Sequence, residues 1–205
     1  MLLDERKVPP VDQSEYIAEI KYDGYRILGE FGERHCILKT KNGADCAKWF
    51  PEVAQGLANL SCGRMVVDGE MCILDELGRT DFNALHAHAR RRRWQEGDEL
   101  VTFCVFDLLV QGGQSIMDRP LVERKALLAA LLDPAPPNVL YARHIDATTA
   151  DAPISWLYEH ALGLKLEGVV GKLAQSKYLP GVRTTDWFKL KRPGAVPPER
   201  FHRKK

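Results

Sequence analysis

Short runs of strand-forming residues dominate this chain and restrict what it can fold into. They cover roughly Tyr16 to Ile20, Tyr25 to Glu30, His35 to Thr40, Met65 to Leu74, Leu100 to Val110, Val139 to Arg143, Glu167 to Lys172 and Thr185 to Lys191. Each combines β-branched or aromatic residues with alternating or continuous apolar character. Helical periodicity fits Phe50 to Asn59, Asp81 to Trp94, Leu121 to Leu132 and Thr149 to Leu162. The order is not that of repeated βαβ units, and the short turn expected at Asp23-Gly24 favours antiparallel neighbours early in the chain. The pattern predicts an α+β fold of mixed, mainly antiparallel sheets with flanking helices. With 205 residues, 45% of them hydrophobic, the chain can bury a substantial core. Pro134-Ala135-Pro136-Pro137 is too short for a domain linker. We expect one domain over residues 1–191, followed by a basic, proline-containing tail over 192–205 that frays.

Charge is nearly balanced, 29 basic against 28 acidic residues, so any nucleic-acid surface has to be a local patch. The five cysteines, Cys36, Cys46, Cys62, Cys72 and Cys104, form no C-x-x-C pair, and several sit in apolar strand patterns. Reduced core thiols, and with them a cytoplasmic location, are expected. No stretch approaches the roughly 18 apolar residues of a membrane span.

Chemistry enters at Lys21-Tyr22-Asp23-Gly24-Tyr25-Arg26. A lysine ends an apolar run, Asp-Gly follows, and an arginine stands just beyond. An amine nucleophile must shed a proton, which burial and neighbouring cations favour, and Arg26 can present a fixed guanidinium fork to a phosphate. The plain alternative is a β-hairpin carrying surface charges. Further segments follow in order: Val66-Val67-Asp68-Gly69-Glu70, Phe103-Cys104-Val105-Phe106-Asp107-Leu108-Leu109, Glu167-Gly168-Val169-Val170-Gly171-Lys172 and Trp187-Phe188-Lys189-Leu190-Lys191.

In this order the segments resemble the nucleotidyltransferase motifs of ATP-dependent DNA ligases, over most of the chain from about Glu15 to Lys191. The text from Ile73 to Phe82 and from Asp118 to Lys125 resembles the ligase module of bacterial end-joining ligases. The resemblance implies the ligase and capping-enzyme nucleotidyltransferase fold, which is ATP-grasp-like. It also implies ATP as the nucleotide, with Mg²⁺ or Mn²⁺, and nicked double-stranded DNA as substrate. By the same resemblance Lys21 attacks the α-phosphate of ATP and carries AMP, and Glu19, on the same strand face, contacts the adenine amino group. Arg26 and Glu70 hold the ribose and phosphate side, the arginine meeting a phosphate or bracing Glu70. Phe106 stacks on adenine, Glu167 is the metal-binding carboxylate, and Lys189 and Lys191, which share a strand face, lie near adenine and the α-phosphate. The plain readings are an edge-strand charge for Glu19, core packing for Phe106, a helix-end carboxylate for Glu167 and a solvated strand face for the two lysines.

Two departures stand out. Thr40-Lys41-Asn42-Gly43 occupies the place of a Ser-Arg-x-Gly pattern, so Lys41 keeps the charge but loses the bidentate fork. The chain also stops about fourteen residues after Lys191, where such ligases continue into an oligonucleotide-binding-fold domain with a sixth basic motif. It resembles an adenylation domain alone, whose self-adenylation is expected to be slow or to need a partner in trans, such as an oligonucleotide-binding-fold protein or an end-joining protein. Arg90, Arg91, Arg92 and Arg93, at the end of the expected second helix, are candidate contacts to the DNA backbone, with Arg192, Arg203, Lys204 and Lys205 beside them. Cations at a helix C-terminus also offset its dipole, which is the competing explanation. An RNA ligase or a guanylyl-transferring capping enzyme shares Lys-x-Asp-Gly, and a non-catalytic nucleotide- or DNA-end-binding module is the rival from another class.

Overall fold

Two sheets face one another across the residues singled out above. The computed structural model describes residues 1–195, so Arg203, Lys204 and Lys205 fall outside the described part. The first sheet has the order β1 (Leu2–Arg6), β11 (Arg183–Lys191), β10 (Gly168–Leu173), β2 (Tyr16–Ile20), β9 (His144–Ile145). The second runs β4 (His35–Thr40), β3 (Tyr25–Gly32), β5 (Met65–Ile73), β6 (Val101–Gln111), β7 (Gln114–Ser115), with β8 (Val139–Tyr141) also paired to β6. Only β1 with β11 and β6 with β8 are parallel among the described pairs. The mixed, mainly antiparallel expectation therefore holds.

Four helices cover the sheets among the described residues: α1 (Pro51–Ala58), α2 (Phe82–Arg90), α3 (Leu121–Leu131) and α4 (Pro153–Gly163). Proline stands in the first turn of α1 and α4, where its missing N–H costs nothing. Asp81 caps α2 by accepting the Ala84 N–H at 2.9 Å. The largest core cluster fills the second sheet against α1 and α2 with Ile27, Leu38, Leu57, Met71, Leu85 and Phe103. A second cluster packs α4 on the first sheet through Ala18, Ile154, Ala161, Val169 and Phe188. The third joins the sheets: Ile17 and Trp187 from one, Leu109 from the other, and Leu121 from α3.

Three local expectations need correction. Asp23-Gly24 does not close a hairpin, because β2 and β3 lie in different sheets and residues 21–24 cross from one to the other. Gly24 is required there by proximity: a Cβ would sit 2.0 Å from the Met71 carbonyl oxygen. The second helix ends at Arg90 instead of running to Trp94, and Arg92 sits in the left-handed region at φ 55°, which turns the chain away after the helix. Strand β1 has no counterpart among the expected strands, since Asp4, Glu5 and Arg6 give it the polarity of a loop while it serves as a sheet edge.

Candidate active site

Between the sheets lies a cavity of about 80 Å³, and strands from both form its wall. Glu19 and Ile20 come from the end of β2, Lys21 from the crossover that follows it, Arg26 from β3, Glu70 from β5, Phe106 from β6, Val170 and Lys172 from β10, and Trp187 from β11. Residues spread over most of the chain thus converge because the Lys21–Gly24 crossover sets the C-terminal end of β2 against β3 and β5.

Lys21 stands at the junction of this cavity and a larger one of about 420 Å³ lined by Asp23, Arg79, Lys165, Glu167 and Arg192 among others. Its ammonium is 2.6 Å from Glu167 Oε2. Lys191 approaches the other oxygen at 3.8 Å. Burial pushes the Glu167 carboxyl up, and the Lys21 charge works against that shift. An ammonium has no lone pair, so Lys21 must give up a proton before the amine can attack, and Glu167 at 2.6 Å is the nearest carboxylate to receive it.

Arg26 does not brace Glu70. Its fork is spent on Asp68, Nε to Oδ1 at 3.0 Å and Nη2 to Oδ2 at 2.6 Å, while Nη1 donates to the Met1 carbonyl at 2.6 Å. The Tyr178 hydroxyl donates to the same Asp68 Oδ2 at 2.7 Å. Glu70, two residues along β5 from Asp68, faces the cavity. Burial pushes its carboxyl up to about 8, against the pull of Lys21 and Arg26.

Glu19 is not an edge charge, because β2 lies between β10 and β9. It is buried, and its two oxygens accept from Lys125 at 2.6 Å and Lys172 at 2.7 Å. Burial alone would raise this carboxyl, but the two ammoniums more than offset it and hold the group below the ordinary range. Phe106 is half-buried and edges the cavity, with the Lys172 ammonium 4.5 Å from its ring centroid and the Arg26 guanidinium 5.6 Å away. Under the floor, Arg124 forks onto Asp107 at 2.9 and 2.8 Å, and both side chains are fully buried.

Lys189 shares a strand face with Trp187 and Lys191, but it does not line the cavity; it pairs with Glu5 of β1 at 3.1 Å. Lys41 lines a separate groove of about 1150 Å³ that opens beside Arg26 and Glu70. Arg90 and Arg92 line that groove with Lys39. Arg91 turns aside to an ion pair with Asp98, and Arg93 is exposed but outside the groove lining. Arg192 donates to the Leu166 and Pro193 carbonyls and lines the cavity beside Lys21. All five cysteines are free thiols, as expected, and burial pushes Cys36 and Cys46 up to about 12, which leaves them inert at neutral pH.

Sequence reasoning missed Asp68, Lys125, Lys172 and Trp187 as parts of this site. The signal for Lys125 lay in α3, where Arg124 and Lys125 fall three and four residues after Leu121, on the face an apolar stripe would occupy. Among the described residues no helix is long and apolar enough to cross a membrane.

Comparison with known proteins places this geometry. The chain is 38% identical over 184 residues to the multifunctional non-homologous end joining protein LigD of Pseudomonas aeruginosa, covering 89% of this chain and 20% of that protein. It is 32% identical over 191 residues to the SPbeta prophage-derived DNA ligase-like protein LigB of Bacillus subtilis, covering 93% of this chain and 66% of the relative. It therefore spans only part of these relatives. The solved structure of a mycobacterial DNA ligase D complexed with ATP and MES superposes with a TM-score of 0.77 at 25% identity, covering 93% of this chain and 59% of that one. The family described as ATP dependent DNA ligase domain matches residues 5–191. Because that match takes in both walls of the cavity and the crossover carrying Lys21, the chain belongs to the ATP dependent DNA ligase domain family.

Proposed function

We propose that this chain is the adenylation core of an ATP-dependent DNA ligase that seals nicks with a 5′-phosphate and a 3′-hydroxyl in end joining or repair. The observation that carries the reading is the placement of Lys21 at the mouth of a cavity walled by Phe106, Glu19, Arg26, Glu70 and Trp187. The Lys21 Nζ lone pair forms a bond to the α-phosphorus of ATP while the bond to the bridging oxygen breaks. Pyrophosphate leaves with that electron pair, and the amine releases a proton. A 5′-phosphate oxygen of the nick then displaces Lys21 from phosphorus, and the 3′-hydroxyl finally displaces AMP. Phe106 offers an aromatic face for the base, Glu19 an acceptor for its amino group, and Glu70 a partner for the ribose hydroxyls. Arg26, its charge matched by Asp68, holds a fixed place in the wall on the phosphate side. Lys191 flanks Glu167, and Lys189 reaches the nucleotide only after leaving Glu5.

No group of three or more His, Cys, Asp or Glu among the described residues could hold a metal ion. Glu167 is nevertheless a hard oxygen donor beside the amine, and it suits Mg²⁺ or Mn²⁺ shared with phosphate oxygens. Such an ion would neutralise charge on the phosphates. The groove carrying Lys39, Lys41, Arg90 and Arg92, with Tyr25 and Trp49 in its walls, is the proposed track of the duplex backbone. The domain is taken as residues 1–191, which takes in the family match over residues 5–191. The location is cytoplasmic.

The test combines α-labelled ATP and Mg²⁺ with sealing of nicked duplexes that carry a 5′-phosphate or a ready-made 5′-adenylate. Label on the protein and sealing of both duplexes are expected. Preference for GTP would move the protein to the capping enzymes, and binding without label or sealing would leave a nucleic-acid-binding module.

A further inference from the structure

Lys125 lies behind the cavity wall, not in it. Its ammonium is fully buried and all three protons are used inside the protein: Glu19 Oε1 at 2.6 Å, the Ala142 carbonyl at 2.8 Å and the Phe106 carbonyl at 3.4 Å. It also lies 4.8 Å from the Tyr141 ring centroid. Glu19, Phe106 and Ala142 line the cavity, whereas Lys125 does not. One buried side chain thus holds three separate parts of the wall at once.

The ion cluster carries more charge than a structural role needs. A single ammonium would balance Glu19, and Lys172 already supplies it at 2.7 Å. The second ammonium leaves a net positive charge in the interior, which costs desolvation energy. What it adds is geometric. With one lysine on each oxygen, the carboxylate plane is fixed and its remaining lone pairs have set directions. An ionised carboxylate only accepts hydrogen bonds, so such a group recognises a donor and repels a carbonyl oxygen.

We propose that Lys125 is a positioning residue for base selection, locking Glu19 as a fixed acceptor that favours a nucleotide with an exocyclic amino donor over one that lacks it. The inference rests on the adenylation reading given above. It concerns a residue that touches no substrate, so its signature is a change in preference and not simply a loss of activity.

The experiment measures self-adenylation kinetics for ATP, GTP and purine riboside triphosphate, which lacks the amino group, in the wild type and in Lys125→Met. Lys125→Met leaves Glu19 and Lys172 as a balanced pair, so the fold is expected to survive, and thermal melting checks that. We expect KM for ATP to rise about 10- to 100-fold, the scale of a lost charged hydrogen bond, while kcat and the KM for the amino-lacking analogue change little. The ATP preference then falls by the same factor. Lys125→Gln, which keeps a donor for Glu19 but no charge, is expected to lose about threefold in that ratio, and it decides the matter if Lys125→Met does not fold. Equal losses for ATP and the analogue, or an unchanged ratio in the Gln variant, would overturn the proposal by reducing Lys125 to a structural ion. A wild type that takes label from no nucleotide would instead overturn the adenylation reading, and the proposal with it.

Discussion

The cavity between the sheets and the groove beside it use charge in opposite ways. In the cavity wall Glu19 and Lys172, behind them Lys125, and beneath them Asp107 and Arg124, are buried and matched oxygen to nitrogen within 2.6 to 2.9 Å. In the groove, Lys39 from β4, Arg90 from the end of α2, and Lys41 and Arg92 from the turns that follow them stand exposed along a surface. Buried charges are weakly screened and hold one geometry; exposed ones are screened within about 10 Å at 0.1 M salt and tolerate many. The cavity is suited to selecting a small molecule by shape and hydrogen-bond sense. The groove is suited to a repeating phosphate backbone.

The sharpest way to break that contrast is to strand one buried charge. Arg124→Met leaves Asp107 ionisable and unpaired in the core, and we expect a loss of about 3 to 5 kcal/mol. In a melting experiment this would lower Tm by about 10 °C, and an unchanged Tm would show that the network is not tightly coupled to the fold.

Next comes Glu70, which burial pushes up to about 8 from an ordinary value of 4.5. The folded protein holds this proton more tightly than the unfolded chain, so the group's contribution is favourable at low pH. It is lost progressively as pH rises between those two values, and the loss is complete above the folded value. Glu70→Gln removes the effect. The variant should match the wild type near pH 4.5 and exceed it by on the order of 2 to 4 kcal/mol near pH 8.5, read from denaturant melts at both pH values. Equal stabilities at both would place Glu70 in water.

The smallest effect on stability is expected in the groove. Arg90→Ala with Arg92→Ala should change folding by no more than about 0.5 kcal/mol. The same pair should weaken binding to a nicked duplex and reduce the slope of log K against log salt by up to about two. Arg93→Ala, outside the groove lining, serves as the control, and an equal change there would move the DNA surface.

How much of this was legible in the sequence follows the same division. The strand leading into Lys21 and those carrying Glu70, Phe106 and Lys191 announce themselves because apolar alternation survives burial. Strand β1 does not, because an edge strand can be polar and its pairing with β11 depends on residues at the other end of the chain. The ion network is hidden for a related reason. Arg124 and Lys125 look like surface charges on α3 until tertiary packing brings Asp107 and Glu19 to them across 17 and 106 residues. The arginine run was legible as charge but not as direction, since the turn at Arg92 sends only Arg90 and Arg92 into the groove.

The most direct test of the account is to incubate the chain with α-labelled ATP and Mg²⁺ and to map the labelled peptide. The account predicts an acid-labile AMP adduct on Lys21, released by pyrophosphate and absent from a folded Lys21→Ala variant. An adduct on another residue, or label that persists in Lys21→Ala, would contradict it.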